Sequence, residues 1–492
     1  MSTETIILIG VSIYLLAMIL IGIAASRRVE SQDDFIVAGR KFPLWLCAPT
    51  LIATWFGGGT MLGAAGTGYE GGILASIAVP FGTALVLILM GFFFVRPLRR
   101  LKILTIGDFF EMRFGQVAAT VAVLALLLAI IGWIGGTLVG FGYILQTLTG
   151  LPMEVGILVG AAIVIGYTAI GGMWAVALTD FVQVGIILIG LIILLIVVLL
   201  NVGGWSAIAP QLAEHTFRLI PLENSPVAWL NYLRLWIIFG IADLTSQSLN
   251  QRIFAAKSDQ TAQNSLYVAG AGYLILGLIP VFLGIIATVL MPGLDDPESV
   301  IPRMAIEYLH PIAIAIFVGA ILAAIMSSAD SALLAAASLV SVNIAPLLKH
   351  DLTPEQKFSV TRITIPVCGF LAVYVALEVQ SVLDIMLDAN SFLLVGVVGP
   401  YIAGVWWKKA NRTGALSAMV GGFLVWALSG YFFPELVGDV IGFGASLLTI
   451  FIVSMLTQRA DPPMPLVDEH GKPISLKNRF GTLPLFGSPK PE

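Results

Sequence analysis

The residues most able to do chemistry sit where side chains are normally apolar. In Ala323–Ser331, Ala324, Ser327, Ser328 and Ser331 recur at i, i+3, i+4 and i+7, which lines them up as one polar stripe on a helix. Serine hydroxyls and backbone carbonyls are hard oxygen ligands suited to a small alkali cation, and none of them is a base. The alternative is that the hydroxyls bond back to their own helix, as serines in membrane spans commonly do. Three carboxylates share these apolar surroundings: Asp180 beside Thr179, Asp330 on the serine helix, and Asp243 within Gly240–Ser248. A carboxylate inside a membrane is costly, and there it marks ion or substrate pathways. For Asp180 a place on a cation path competes with an ion pair at a helix end. None of the four histidines is spaced with cysteine or carboxylate as in a metal site, and no catalytic nucleophile or base stands out, so the expectation is not an enzyme.

Two helices must be interrupted to serve such groups. In Ala48–Gly63 three consecutive glycines, Gly57, Gly58 and Gly59, follow Trp55 inside a long hydrophobic run. Glycine costs about 1 kcal/mol relative to alanine in a helix interior, so three together invite the backbone to unwind. An unwound segment at membrane depth is tolerated only where protein or a water-filled cavity surrounds it. The stretch therefore reads as a binding site, the alternative being a close helix-packing face. A second interruption, at Gly240–Ser248, places Asp243, Ser246 and Gln247 after a strongly apolar half-helix. Paired broken helices in corresponding positions point to an inverted-repeat transporter with its site near the bilayer midplane.

The elements that position these groups follow from composition. Of 492 residues, 58% are hydrophobic and 11% charged, and the mean hydropathy is +0.98. Soluble domains carry about 25% charged residues, so the chain reads as an all-α integral membrane protein. Thirteen spans are expected, near 5–26, 44–70, 73–96, 115–148, 152–170, 174–201, 227–254, 262–290, 311–346, 358–379, 382–407, 413–433 and 436–457. Residues 44–201 and 227–407 form the two five-helix groups, with extra helices before and after, in one transmembrane domain over 1–460. Arg27, Arg28, Arg96, Arg99, Arg100, Arg252, Lys257, Lys408 and Lys409 fall in loops on one face. That face is expected to be cytoplasmic, with the N-terminus outside and the C-terminus inside a plasma or inner membrane. The Pro-rich segment 461–492 is expected to be a mobile cytoplasmic tail. No basic tract points to nucleic acid, and no protein partner is implied.

Four segments in order resemble the sodium:solute symporter family. They are Asp33–Arg40, Gly171-Gly172-Met173-Trp174 through Thr179-Asp180-Phe181-Val182-Gln183, Gln251-Arg252 through Ala256-Lys257-Ser258, and the Ser327-Ser328 pattern. The resemblance implies a LeuT-like five-plus-five inverted repeat and sodium as coupling ion, with no other cofactor. Its principal sodium site would use the carbonyls of Ala53, Phe56 and Ala324 and the hydroxyls of Ser327 and Ser328. A second sodium or cation path would involve Asp180, Asp330 and Ser331. Trp55, Trp133 and the serine stripe look most like the choline-transporter branch, which implies a small organic solute bound by Trp55, Gly57, Gly58, Gly59, Trp133, Asp243, Ser246 and Gln247. Where that branch has Pro-Trp-Asn, this chain has Thr245-Ser246-Gln247, so an aromatic wall is missing. Proline or another amino acid, a sugar or a carboxylate are the alternative solutes, and a membrane sensor on the same scaffold is the alternative function.

Overall fold

A computed structural model describes residues 3–349, 351–378, 382–433, 437–474 and 480. Among these the chain is helical, with two isolated β-bridges and no strands. Among the described residues, eleven helices are long and apolar enough to cross a membrane. The thirteen expected spans differ from this number at two places. The span 44–70 is not one helix: it runs as Leu44–Trp55, a π-helical turn Gly59–Gly63 and Ala64–Ala75. The spans 152–170 and 174–201 are instead joined in one 49-residue element, Met153–Asn201, bent at Gly172.

Gly172 (φ 52°, ψ −144°) occupies backbone space that is essentially closed to other residues. A side chain there would also meet the Phe35 carbonyl oxygen at 2.6 Å. Gly172→Ala is therefore expected to destabilise the protein by about 1–3 kcal/mol from backbone strain alone. A lowered melting temperature of the detergent-solubilised variant would show it, and an unchanged one would refute it.

The serine helix, Pro311–Leu339, is the central pillar. Twenty-five of its residues are buried, and it packs against Thr3–Ser26, Ile106–Thr149, Met153–Asn201 and Pro354–Glu378. Small residues let these neighbours approach; Ala320, for instance, lies against Gly190. The least buried of the long apolar helices are Gly438–Thr457, Thr5–Ser26 and Arg412–Phe432.

The chain after Gln458 departs from a mobile tail. Asn411 Nδ2 donates to the Asp461 carbonyl at 2.7 Å, and the Asp461 carboxylate accepts from the Thr413 amide and hydroxyl. Arg113 donates to the carbonyls of Gly404, Trp407 and Met464, which ties the segment to two helix ends. Polar sequence hid this docking, because the bonds run to backbone carbonyls that no side-chain pattern announces. Residues 475–479 and 481–492 of the expected tail lie outside the described residues.

Candidate functional site

The first broken helix ends at Trp55. Phe56 (φ −79°, ψ 61°) takes the chain out of the helical ladder, and the π-helical turn begins two residues beyond Gly57. The last carbonyls of a helix have no intrahelical partner, and this end of the helix carries the negative pole of its dipole. The Trp55 carbonyl is satisfied by Tyr273 Oη and Thr60 Oγ1, each at 3.1 Å. The Ala53 carbonyl instead faces the serine stripe: Ser327 Oγ lies 3.0 Å from it and 2.9 Å from the Ala324 carbonyl. Ser328 Oγ is buried beside them without a hydrogen-bond partner. A side chain at Gly57 would collide with this hydroxyl and come within 3.6 Å of the Ala324 carbonyl. The structure thus brings Ala53, Ala324, Ser327 and Ser328 together, with Phe56 at the adjoining helix end. The donors are neutral oxygens, one hydroxyl is orphaned, and a half-helix C-terminus points in. This set fits a small monovalent cation, in the manner of unwound transporter helices.

The second break lies where the sequence placed it. Pro226–Gly240 stops, a 3-10 turn spans Ala242–Thr245, and helix resumes over Gln247–Ala255. Asn250 Nδ2 donates to the Leu244 and Ser246 carbonyls, and Asn390 Nδ2 to that of Ile238, so the opened backbone is held by side-chain amides. Two cavities meet around Trp55, Trp133 and Asp243, which border both. Ser246, Gln247 and Ser328 border the first, and Gly57 and Gly59 the second. Gly58 lines neither; it immediately precedes the π-helical turn. Gln247 has a structural duty as well: its Oε1 accepts from the Ile106 amide at 2.8 Å and its Nε2 donates to Ser338 Oγ at 3.0 Å.

Below the serine stripe lies a third constellation that centres on Arg252. The sequence reading counts Arg252 among cytoplasmic loop charges, but its side chain is fully buried. Its Nη2 lies 3.3 Å from Asp180 Oδ2 and donates to Ser331 Oγ. Its Nη1 donates to the Ser248 carbonyl at 3.0 Å, and its Nε to the Thr50 carbonyl and hydroxyl. The Thr50 hydroxyl donates to Asp180 in turn. Asp180 thus belongs to a buried ion pair that joins three helices, rather than to a pair at a helix end. Asp330, on the serine helix beside Ser331, accepts from Tyr167 Oη at 2.5 Å and Ser331 Oγ at 3.2 Å. Arg252, Thr50 and Tyr167 are the residues that sequence reasoning passed over as site members. Arg252 lay in plain view within a quoted motif, but Arg following a span reads as a loop charge.

A model of the sodium:solute symporter family matches residues 35–422. The chain belongs to that family. Among its relatives is the high-affinity choline transporter 1 of Drosophila melanogaster, 30% identical over 438 residues, covering 84% of this chain and 69% of that one. The human high affinity choline transporter 1 is 28% identical over 85% of this chain and 76% of its own length. The osmoregulated proline transporter of Bacillus subtilis is 27% identical over 93% and 96%. Among solved structures, a sodium-coupled sialic acid symporter in a substrate-bound outward-open state superposes with a TM-score of 0.78. It covers 93% of this chain and 98% of its own at 23% identity, a likeness of fold. Membership of a family of sodium:solute symporters makes the chain a multi-pass membrane transporter rather than an enzyme, with sodium as its coupling ion. The fold is the LeuT-like one that the motifs led us to expect.

Proposed function

We propose that this protein imports a small organic cation, an amine or a quaternary ammonium compound such as choline, by sodium-coupled alternating access. Sodium binds between the first broken helix and the serine helix, at Ala53, Phe56, Ala324, Ser327 and Ser328. The solute binds between the two broken helices, beside Gly57–Gly59 and against Trp55 and Trp133. Residues 44–201 and 227–407 act as the two inverted repeats that rock about this site. The N-terminus lies outside and the C-terminus in the cytoplasm, with the Lys and Arg bias of the loops as support.

The orphaned Ser328 hydroxyl carries the sodium assignment: it sits buried among carbonyl oxygens with no protein donor or acceptor to satisfy it. The paired tryptophans support the solute class, since aromatic faces attract organic cations by about 2 kcal/mol or more when desolvated. The names of the choline-transporting relatives point the same way. Ala53 and Phe56 would give their carbonyls to sodium while Trp55 and Gly57 face the solute, so ordering one side constrains the other. A single sodium ion moving down ~100 mV releases about 2.3 kcal/mol, enough for roughly 50-fold accumulation before any sodium concentration gradient.

Uptake into proteoliposomes tests this reading. An inward sodium gradient should drive saturable accumulation of an amine or choline, and an equal potassium gradient should not. Sodium-driven uptake of proline or a sugar, with no amine or ammonium compound accepted, would overturn the solute class. Solute uptake indifferent to sodium would overturn the coupling.

A further inference from the structure

Four carboxylates are buried among the described residues: Asp180, Asp243, Asp330 and Asp439. Three are met by protein donors. Asp180 has Arg252 and Thr50, Asp330 has Tyr167 and Ser331, and Asp439 has Arg234 at 2.6 Å and Ser391 at 3.1 Å. Asp243 differs. The residue is 95% buried, yet its carboxylate has no hydrogen-bond or ion-pair partner among the described residues; its backbone carbonyl accepts from the Ser246 amide. The carboxylate stands in the second helix break and borders both cavities that meet at Trp55 and Trp133. No lysine, arginine or histidine lines either cavity. A lone carboxylate at membrane depth is expensive unless a cation meets it there.

We infer that Asp243 is the counter-charge that selects the solute, and that the solute is a small organic ammonium carrying at least one N–H. This rests on the reading of the cavity as the solute site and narrows it. The carboxylate accounts for the positive charge, because a carboxylate-only solute would face Asp243 with no basic side chain to offset it. The walls account for the carbon body: Trp55, Trp133, Leu126, Ile130 and Phe239 offer apolar surface around a single charge. An N–H is called for because charge-assisted hydrogen bonds to a carboxylate are about twice as strong as neutral ones. A fully methylated nitrogen presents only methyl groups and leaves the oxygens of Asp243 without a donor. The same break carries Thr245-Ser246-Gln247 in place of an aromatic wall, which shifts recognition from ring faces toward hydrogen bonding.

The experiment uses the full chain and four probes that differ only in N-methylation: 2-aminoethanol, 2-(methylamino)ethanol, 2-(dimethylamino)ethanol and choline. Binding is measured in sodium by calorimetry, with folding of each variant read from its thermal transition. The native protein is expected to bind 2-(dimethylamino)ethanol at least ~10-fold more tightly than choline, the loss of one charged hydrogen bond. Asp243→Asn should weaken the N–H-bearing probes by on the order of 100-fold and erase that preference. Asp243→Glu, which keeps the charge, should retain the rank order even if Asp243→Asn does not fold. Choline binding as tightly as 2-(dimethylamino)ethanol would overturn the inference and leave sodium-coupled ammonium uptake standing. So would unchanged amine affinities in Asp243→Asn with sodium binding lost, which would make Asp243 an ion ligand. Sodium-dependent binding of proline or a sugar, with all four probes silent, would remove the solute class itself.

Discussion

Arg252→Ala is expected to cost the fold about 3–5 kcal/mol and to abolish uptake. The guanidinium is fully buried and reaches Thr50, Asp180, Ser248 and Ser331, so it ties the first broken helix, the sixth expected span and the serine helix to the second broken helix. Its removal leaves the Asp180 carboxylate uncompensated, with Asp180 Oδ1 already lacking a partner. Breaking one side of a buried pair is costly because the other charge remains. Replacing both sides, in Arg252→Met with Asp180→Leu, should recover much of the stability, since the desolvation cost of the pair also disappears. Melting temperatures in detergent check both expectations. A mild effect of Arg252→Ala, below about 1 kcal/mol, would show that the ion pair is dispensable.

Ser328→Ala is expected to weaken sodium activation at least ~10-fold without destabilising the sodium-free protein. The Ser328 hydroxyl makes no hydrogen bond, so its loss removes no partner and relieves a buried unsatisfied group. Ser327→Ala makes the contrast. Its hydroxyl contacts the Ala53 and Ala324 carbonyls, so the substitution should cost about 1–3 kcal/mol even without sodium, in addition to the loss of sodium response. Sodium titrations of uptake and of melting temperature separate the two signatures. Equal sodium dependence in Ser328→Ala and the native protein would remove the hydroxyl from the ion site.

How far the site was legible depends on what each signal reports. The serine stripe at i, i+3, i+4 and i+7 was readable because helical periodicity alone sets which side chains share a face. The two helix breaks were readable because glycine runs and polar residues in apolar spans are local costs that must be met locally. The span near 44–70 and the pair 152–170 and 174–201 were harder. Their boundaries depend on whether Gly172 bends a continuous helix or ends it, and tertiary packing against Phe35 settles that. Arg252 was misplaced for a related reason. Charge bias in loops is a statistical signal along the chain, whereas burial of a guanidinium depends on acceptors that arrive from residues 50, 180 and 331.

By itself, then, the amino-acid sequence determined the class, the polar stripe and the location of both breaks, because each follows from composition or from spacing within one helix. Only the tertiary structure decided which polar groups are already satisfied. Asp180, Asp243 and Asp330 look alike as acidic residues in apolar runs. Packing gives Arg252 to the first and Tyr167 to the third, and leaves Asp243 facing the cavity between two tryptophans. These hydrogen-bond partners come from segments 72 and 163 residues away, and no local pattern records that distance.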